Sequence, residues 1–189
     1  VPAGDLYALD PVTAEVRWSV PMEPLSRGAG TPTIAGDAIL VQGADDVSEG
    51  RLYCIDLATG TKRWAIDAGN DYAGIYSPAV VNGVVIAVSE RGSGESLVGN
   101  GLPFVAEIAT GAILWSNPDV SVETSPVFAN GRLYFHGQNF RGSGGIDDNV
   151  GLLTLDATTG SFLAIDNYFR YSAAVTPLVI ADNGVFLAP

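Results

Sequence analysis

Few side chains in this 189-residue sequence have the chemistry to hold or transform a ligand. Asp45-Asp46 and Asp147-Asp148-Asn149 concentrate hard oxygens of the kind that calcium prefers. Neither cluster has the spacing of an EF-hand loop, so both are weak calcium candidates, and solvated charge in a turn is the competing reading. His136 is the only histidine. With no second histidine and no neighbouring nucleophile it supports no triad, and a hydrogen-bonded residue near a strand end is expected. Cys54, the only cysteine, lies in an apolar run and is expected to be packed rather than reactive. No catalytic residue and no bound cofactor are assigned.

Recognition chemistry is better represented. Aromatics collect at Tyr72 and Tyr76 and again at Tyr168, Phe169 and Tyr171. Such rings serve either to recognise a partner or to seal the gap between packed sheets. Together with Arg27, Asp71, Arg141 and Arg170, the residues Tyr72 and Tyr76 form the candidate binding face.

The elements that carry these residues are set by a repeat. One signature reads GDLYALDPVTAEVRW over 4–18 and GRLYCIDLATGTKRW over 50–64. It returns as LPFVAEIATGAILW over 102–115 and GLLTLDATTGSFLA over 151–164. Its acidic position falls at Asp10, Asp56, Glu107 and Asp156, at spacings of 46, 51 and 49 residues. A second signature alternates with it, with its proline at Pro32, Pro78, Pro126 and Pro177. A period near 50 residues with two hairpins per unit predicts the four-stranded antiparallel blades of an all-β β-propeller.

Local chemistry agrees. Asn82-Gly83 and Asn130-Gly131, and the equivalent Ala35-Gly36, suit tight hairpins that need positive φ. In the Asp-x-x-Thr-Gly element, the aspartate can accept backbone N–H groups while the glycine takes a left-handed conformation. With the strands of a unit labelled A to D, alternation places the A–B and C–D turns at one end. The B–C and D–A connections then lie at the other, over 21–30, 42–50, 67–76, 89–102, 117–124, 137–150 and 166–174. These connections hold 13 of the 21 acidic residues and four arginines, which makes an acidic loop face.

The expected divisions are a C–D half blade over 1–20, whole units over 21–66, 67–116 and 117–165, and an A–B half over 166–189. That is about four blades' worth. The sequence opens at Val1 in mid-pattern, so it is expected to be a processed or trimmed segment of a larger propeller, although joining the two halves would close a four-bladed ring.

The element Ala-x-Asp-x-x-Thr-Gly-x-x-x-Trp resembles the tryptophan-docking motif of the pyrroloquinoline-quinone (PQQ) propeller family. Residues 54–64 fit it with Cys54 in place of alanine, and 8–18 fit with Ala14 in place of glycine. Residues 105–115 carry Glu107, and 154–164 lack the tryptophan. The resemblance implies that Trp18, Trp64 and Trp115 pin each blade to the next. It also implies a location outside the cytoplasm, in the periplasm, envelope or medium.

Three functions follow from it. The first is a non-catalytic, protein-binding or assembly scaffold, like the outer-membrane assembly lipoproteins and sensor domains of bacterial kinases. The second is a fragment of a quinone-dependent alcohol or sugar dehydrogenase using PQQ and calcium. The third is a structural component whose open strand edges pair with further blades or another chain. Against the dehydrogenase stand the single cysteine, where many of those enzymes carry an adjacent pair, and an acidic face that suits the carboxylates of the quinone poorly. The net charge of −12 disfavours nucleic acid and anionic membranes and suits a basic protein partner. No transmembrane helix is predicted, since the most apolar stretch is cut by Asn82-Gly83.

Overall fold

The computed structural model describes residues 5–22, 30–44, 50–68, 76–90, 101–139, 150–166, 178–181 and 184–187. Among them there are only strands and turns. The chain is an all-β array of antiparallel blades.

The first hairpin pairs β1 (Asp5–Leu9) with β2 (Val16–Pro21). The first full blade follows as a four-stranded sheet: β3 (Thr33–Ala35), β4 (Ala38–Ala44), β5 (Gly50–Asp56) and β6 (Lys62–Asp67), in that order. The second blade contains β7 (Ala79–Val81), β8 (Val84–Glu90), β9 (Gly101–Glu107) and β10 (Ile113–Ser116). A short strand, β11 (Val120–Val122), precedes the third blade. That blade is β12 (Val127–Ala129), β13 (Arg132–Asn139), β14 (Val150–Asp156) and β15 (Phe162–Asp166). A last hairpin pairs β16 (Leu178–Ala181) with β17 (Gly184–Leu187).

Each blade is built by the same local chemistry. The A–B hairpins turn on left-handed residues, with Asn82 at φ 47° and Gly83 at φ 82°, as a two-residue turn between right-twisted strands requires. In the C–D turn, the Asp56 carboxylate accepts the amides of Ala58 and Thr59 at 3.1 and 2.9 Å, and Gly60 closes the turn at φ 73°. Asp10 and Asp156 repeat this arrangement. The two turns of a blade meet at one end: Leu57 N donates to Asp37 O, Ile108 N to Gly83 O, and Ala157 N to Gly131 O, at 2.9–3.0 Å. The B–C and D–A connections therefore leave from the opposite end.

The core is a series of seams. Val20 and Met22 of the first hairpin pack on Ile39, Val41, Tyr53 and Ile55. Leu40, Leu52 and Cys54 of the first blade meet Val85, Ala87 and Phe104 of the second. Ile86, Val88 and Val105 of the second meet Leu133, Phe135, Leu153 and Leu155 of the third. Burial follows from this stacking. The third strand of a blade has neighbours on both faces, so β5 is buried almost throughout, whereas the outermost β6 alternates between half-buried and exposed. Full burial of each such aliphatic side chain contributes about 1.5–3 kcal/mol.

β11 departs from the expectation of a plain connection over 117–124. It pairs with β13 (Val120 opposite Asn139, Ser121 opposite Gln138) and, through Val122, with Gly101 of β9. The second and third blades thus become one nine-stranded sheet. The close approach depends on missing side chains. A Cβ at Gly137 would lie 2.1 Å from Ser121 O, and one at Gly101 would lie 2.4 Å from Val122 O.

Candidate functional site

The seams carry the geometry that the repeat encodes. On the outer side, Trp18 Nε1 donates to Leu57 O at 3.2 Å, Trp64 Nε1 to Ile108 O at 2.8 Å, and Trp115 Nε1 to Ala157 O at 3.2 Å. Each acceptor belongs to the C–D turn of the following blade. Each indole also lies against that turn's left-handed glycine: an added Cβ would meet the ring at 2.7 Å for Gly60, 2.9 Å for Gly111 and 2.4 Å for Gly160. Glycine is needed twice over at these positions, for its φ and for the indole's approach. Cys54 is buried under the same seam, its Sγ 4.0 Å from Ile108 O, and burial pushes the thiol pKa up. It is a packed side chain, not an activated nucleophile.

On the inner side the link is a hydroxyl. Thr31 N donates to Ser77 Oγ and Ser77 N to Ser125 Oγ, both at 2.9 Å, and Thr33 Oγ1 donates to Pro78 O at 2.6 Å. Ser77 and Ser125, the residues before Pro78 and Pro126, thus hold the preceding unit's backbone. The recurrent prolines at Pro32, Pro78 and Pro126 mark these positions in the sequence, but nothing adjacent to them signals the link.

Where β11 splices the second and third blades, buried polar residues gather. His136 Nδ1 lies 3.2 Å from Glu123 Oε2, and His136 N donates to Thr124 Oγ1 at 2.9 Å. Glu123 N donates to His136 O at 2.8 Å. His136 is thus a hydrogen-bonded member of β13. The equivalent position of the first blade holds Gln42, whose Nε2 donates to Val88 O across the seam. Among the described residues, Gln42 Oε1 and Ser121 Oγ are buried with no hydrogen-bond partner.

The outer rim is charged at the first blade. Arg63 donates to both Asp37 carboxylate oxygens at 3.0 and 2.8 Å, to Asp37 O at 3.1 Å, and to Asp56 Oδ2 at 2.6 Å. The Arg63 hydrogen bond, with those of Thr59, holds the Asp56 pKa down to about 2, and Arg63 also lowers that of Asp37. Asp10, bonded to Arg17 at 2.7 Å, is likewise lowered to about 2. A carboxylate whose folded pKa is depressed stabilises the fold fully above its unfolded value, and that contribution disappears as pH falls through the folded one. Stability is therefore expected to drop between about pH 4 and pH 2. Arg63→Ala should make this acid limb shallower when unfolding is followed against pH, and an unchanged slope would show that the latch is inert.

Of the candidate binding face, only Tyr76 is described, and it is buried in the seam between the second and third blades. Arg27, Asp71, Tyr72, Arg141 and Arg170 lie outside the described residues, as do Tyr168, Phe169 and Tyr171. So do the calcium candidates Asp45, Asp46, Asp147, Asp148 and Asn149. Among the described residues, no three of His, Cys, Asp and Glu come together as a metal site, and no helix is long and apolar enough to cross a membrane.

Stacked four-stranded antiparallel blades, with indole and hydroxyl hydrogen bonds running from one unit to the next, define a β-propeller repeat array. The family described as Outer membrane protein assembly factor BamB matches residues 2–101 and again 48–163, and the chain belongs to this PQQ-like repeat family. No curated protein matches the chain. Among solved structures it is similar to the quinohemoprotein alcohol dehydrogenase ADHIIG from Pseudomonas putida HK5. That match has 18% identity and a TM-score of 0.65, and covers 99% of this chain and 36% of that one. The quinohemoprotein alcohol dehydrogenase of Comamonas testosteroni gives 17% identity and a TM-score of 0.64, with 97% and 36% covered. BamB from Moraxella catarrhalis gives 17% identity and a TM-score of 0.51, with 90% and 57% covered. The chain thus spans from about a third to under three-fifths of the length of these structures, and the likeness to them is one of fold.

Proposed function

We propose that this chain is part of a non-catalytic propeller that binds protein partners, as a scaffold or assembly factor, outside the cytoplasm. The observation that carries this reading is the match over 2–163 to a family described by an assembly factor. The net charge of −12 supports it, because a strongly acidic surface steers basic partners and repels polyanions. The acidic connections share one end of the blades, where variable loops are best placed to meet a partner.

The likeness to two quinohemoprotein alcohol dehydrogenases keeps a second reading, a fragment of a PQQ- and calcium-dependent enzyme. The described residues offer no feature that favours it. The one cysteine is buried inside a blade seam, and Asp10, Asp37, Asp56 and Asp156 are engaged by the protein's own arginines or turn amides.

One experiment gives each reading its own positive outcome. Incubated with PQQ, calcium and a primary alcohol, the chain should neither reduce an electron-accepting dye nor develop the quinone's bound absorbance. Immobilised, it should retain basic envelope proteins that elute as salt shortens the screening length. Neutralising Asp45, Asp46, Asp71, Asp147 and Asp148 together should abolish that retention. Dye reduction would establish the enzyme, and salt-independent retention by the neutralised variant would remove the acidic face as the binding surface.

A further inference from the structure

Equivalent positions on successive blades differ at one place on the outer rim. In the first blade, Arg63 precedes the docking tryptophan and spans Asp37 and Asp56, closing the outside of the blade with charge. In the second blade, the residue before Trp115 is Leu114, the position of Asp37 is held by Gly83, and that of Asp56 by Glu107. Leu114 and its neighbour Ile113 are 57% and 55% exposed. Behind Leu114 opens a groove of about 280 Å³ between the second and third blades, floored by Val81, Val84, Val105, Trp115, Phe128 and Ala157. Glu107 stands opposite Val84 of that groove in the strand register and is itself exposed. Its carboxylate accepts the Thr110 hydroxyl at 2.6 Å, and among the described residues it has no basic partner.

An apolar groove with an exposed aliphatic lip and a carboxylate beside it lacks one component, the cation that the first blade supplies from within. We propose that this groove is a docking site for a protein segment bearing an arginine next to a bulky aliphatic side chain. The aliphatic group fills the groove over Trp115, and the guanidinium takes, at Glu107, the place that Arg63 takes at Asp56. Charge complementarity selects this occupant. An acidic segment would meet Glu107 on a surface of the same sign, and a purely apolar one would leave that carboxylate beside a desolvated contact. The site lies at the turn end and outer rim of the blades, and does not depend on the role of the acidic connections.

The test uses the full chain and the capped tetrapeptide Gly-Leu-Arg-Gly, with Gly-Leu-Glu-Gly as its counterpart. Titration of the arginine peptide should move the indole N–H resonance of Trp115 saturably, with dissociation in the millimolar range expected of so small a contact, while Trp18 and Trp64 stay in place. Leu114→Arg, which installs the missing cation in cis, should weaken binding at least tenfold, and Glu107→Gln, which leaves the apolar floor intact, at least threefold. The absence of saturable movement, an equal response to the glutamate peptide, or undiminished binding by both variants would each overturn the proposal. Concentration-dependent self-association abolished by Leu114→Arg would assign the groove to a second copy of the chain and overturn it as well.

Discussion

Gly137→Ala is expected to lower stability by about 2–4 kcal/mol and to loosen the second blade from the third. The added methyl would lie 2.1 Å from Ser121 O, 2.8 Å from Val122 Cα and 2.9 Å from Leu153 Cδ1. Two of these are backbone atoms of β11, so no rotamer change can relieve the clash. β11 cannot retreat without breaking its ladder to β13 or the Glu123 N to His136 O bond at 2.8 Å. Overpacking in such a place costs about 1–3 kcal/mol. Each stretched backbone bond that leaves buried groups unpaired adds about 1 kcal/mol.

Gly83→Ala is the control. Its Cβ would meet nothing within 4 Å, and only its φ of 82° penalises the change, by roughly 1–2 kcal/mol. Denaturant unfolding followed by fluorescence should rank Gly137→Ala well below Gly83→Ala, with hydrogen exchange at Glu123 accelerated only in the former. Equal losses would mean that the splice strand carries no stability.

The second large effect is expected at Trp64. Truncation to alanine removes a ring that packs on Gly111, joins the seam formed with Val85, Ala87 and Phe104, and donates to Ile108 O at 2.8 Å. The ring is only partly buried, so the loss should fall near the lower end of the range for such truncations, about 3 kcal/mol. Trp64→Phe keeps most of the packing and deletes the N–H, and should cost about 1 kcal/mol. Gly111→Ala attacks the same contact from the other blade, through its φ of 75° and a Cβ 2.9 Å from the indole. Because both act on one contact, the double variant Trp64→Ala with Gly111→Ala should lose less than the sum of the two, by 0.5 kcal/mol or more, as coupled neighbours do. Strict additivity in that cycle would sink the idea that this indole works through the neighbouring turn.

What the sequence made legible was the chemistry confined to a few consecutive residues. Asp56 and Gly60, or Asn82 and Gly83, specify their turns locally, so the repeat could be read from any one copy and checked against the others. The blades and their antiparallel order followed from that. Contacts made by a neighbouring unit were harder to read. The hydroxyls of Ser77 and Ser125 serve the preceding blade, and nothing adjacent in the chain signals it. The strand Val120–Val122 has three residues, too few for a period, and its cause lies in Gly101 and Gly137, far away in sequence. The Arg63 latch and its loss at Leu114 were visible as a substitution between copies, but reading it needed Asp37, which belongs to another turn. The loop-borne candidates, from Asp45 and Asp46 to Arg170, rest on composition alone.

The inner hydroxyl link has an evolutionary reading. Ser77 offers its side-chain oxygen to the unit before it and its amide to the unit after it, so this module presents a pair of complementary ends to its two neighbours. Arrays with this property can gain or lose whole modules by duplication or deletion, since any two copies join as well as the originals did. Inserting a single residue between the hydroxyl and its strand would instead mismatch both junctions at once. Length variation among such chains should therefore come in steps of one module or fall within the loops.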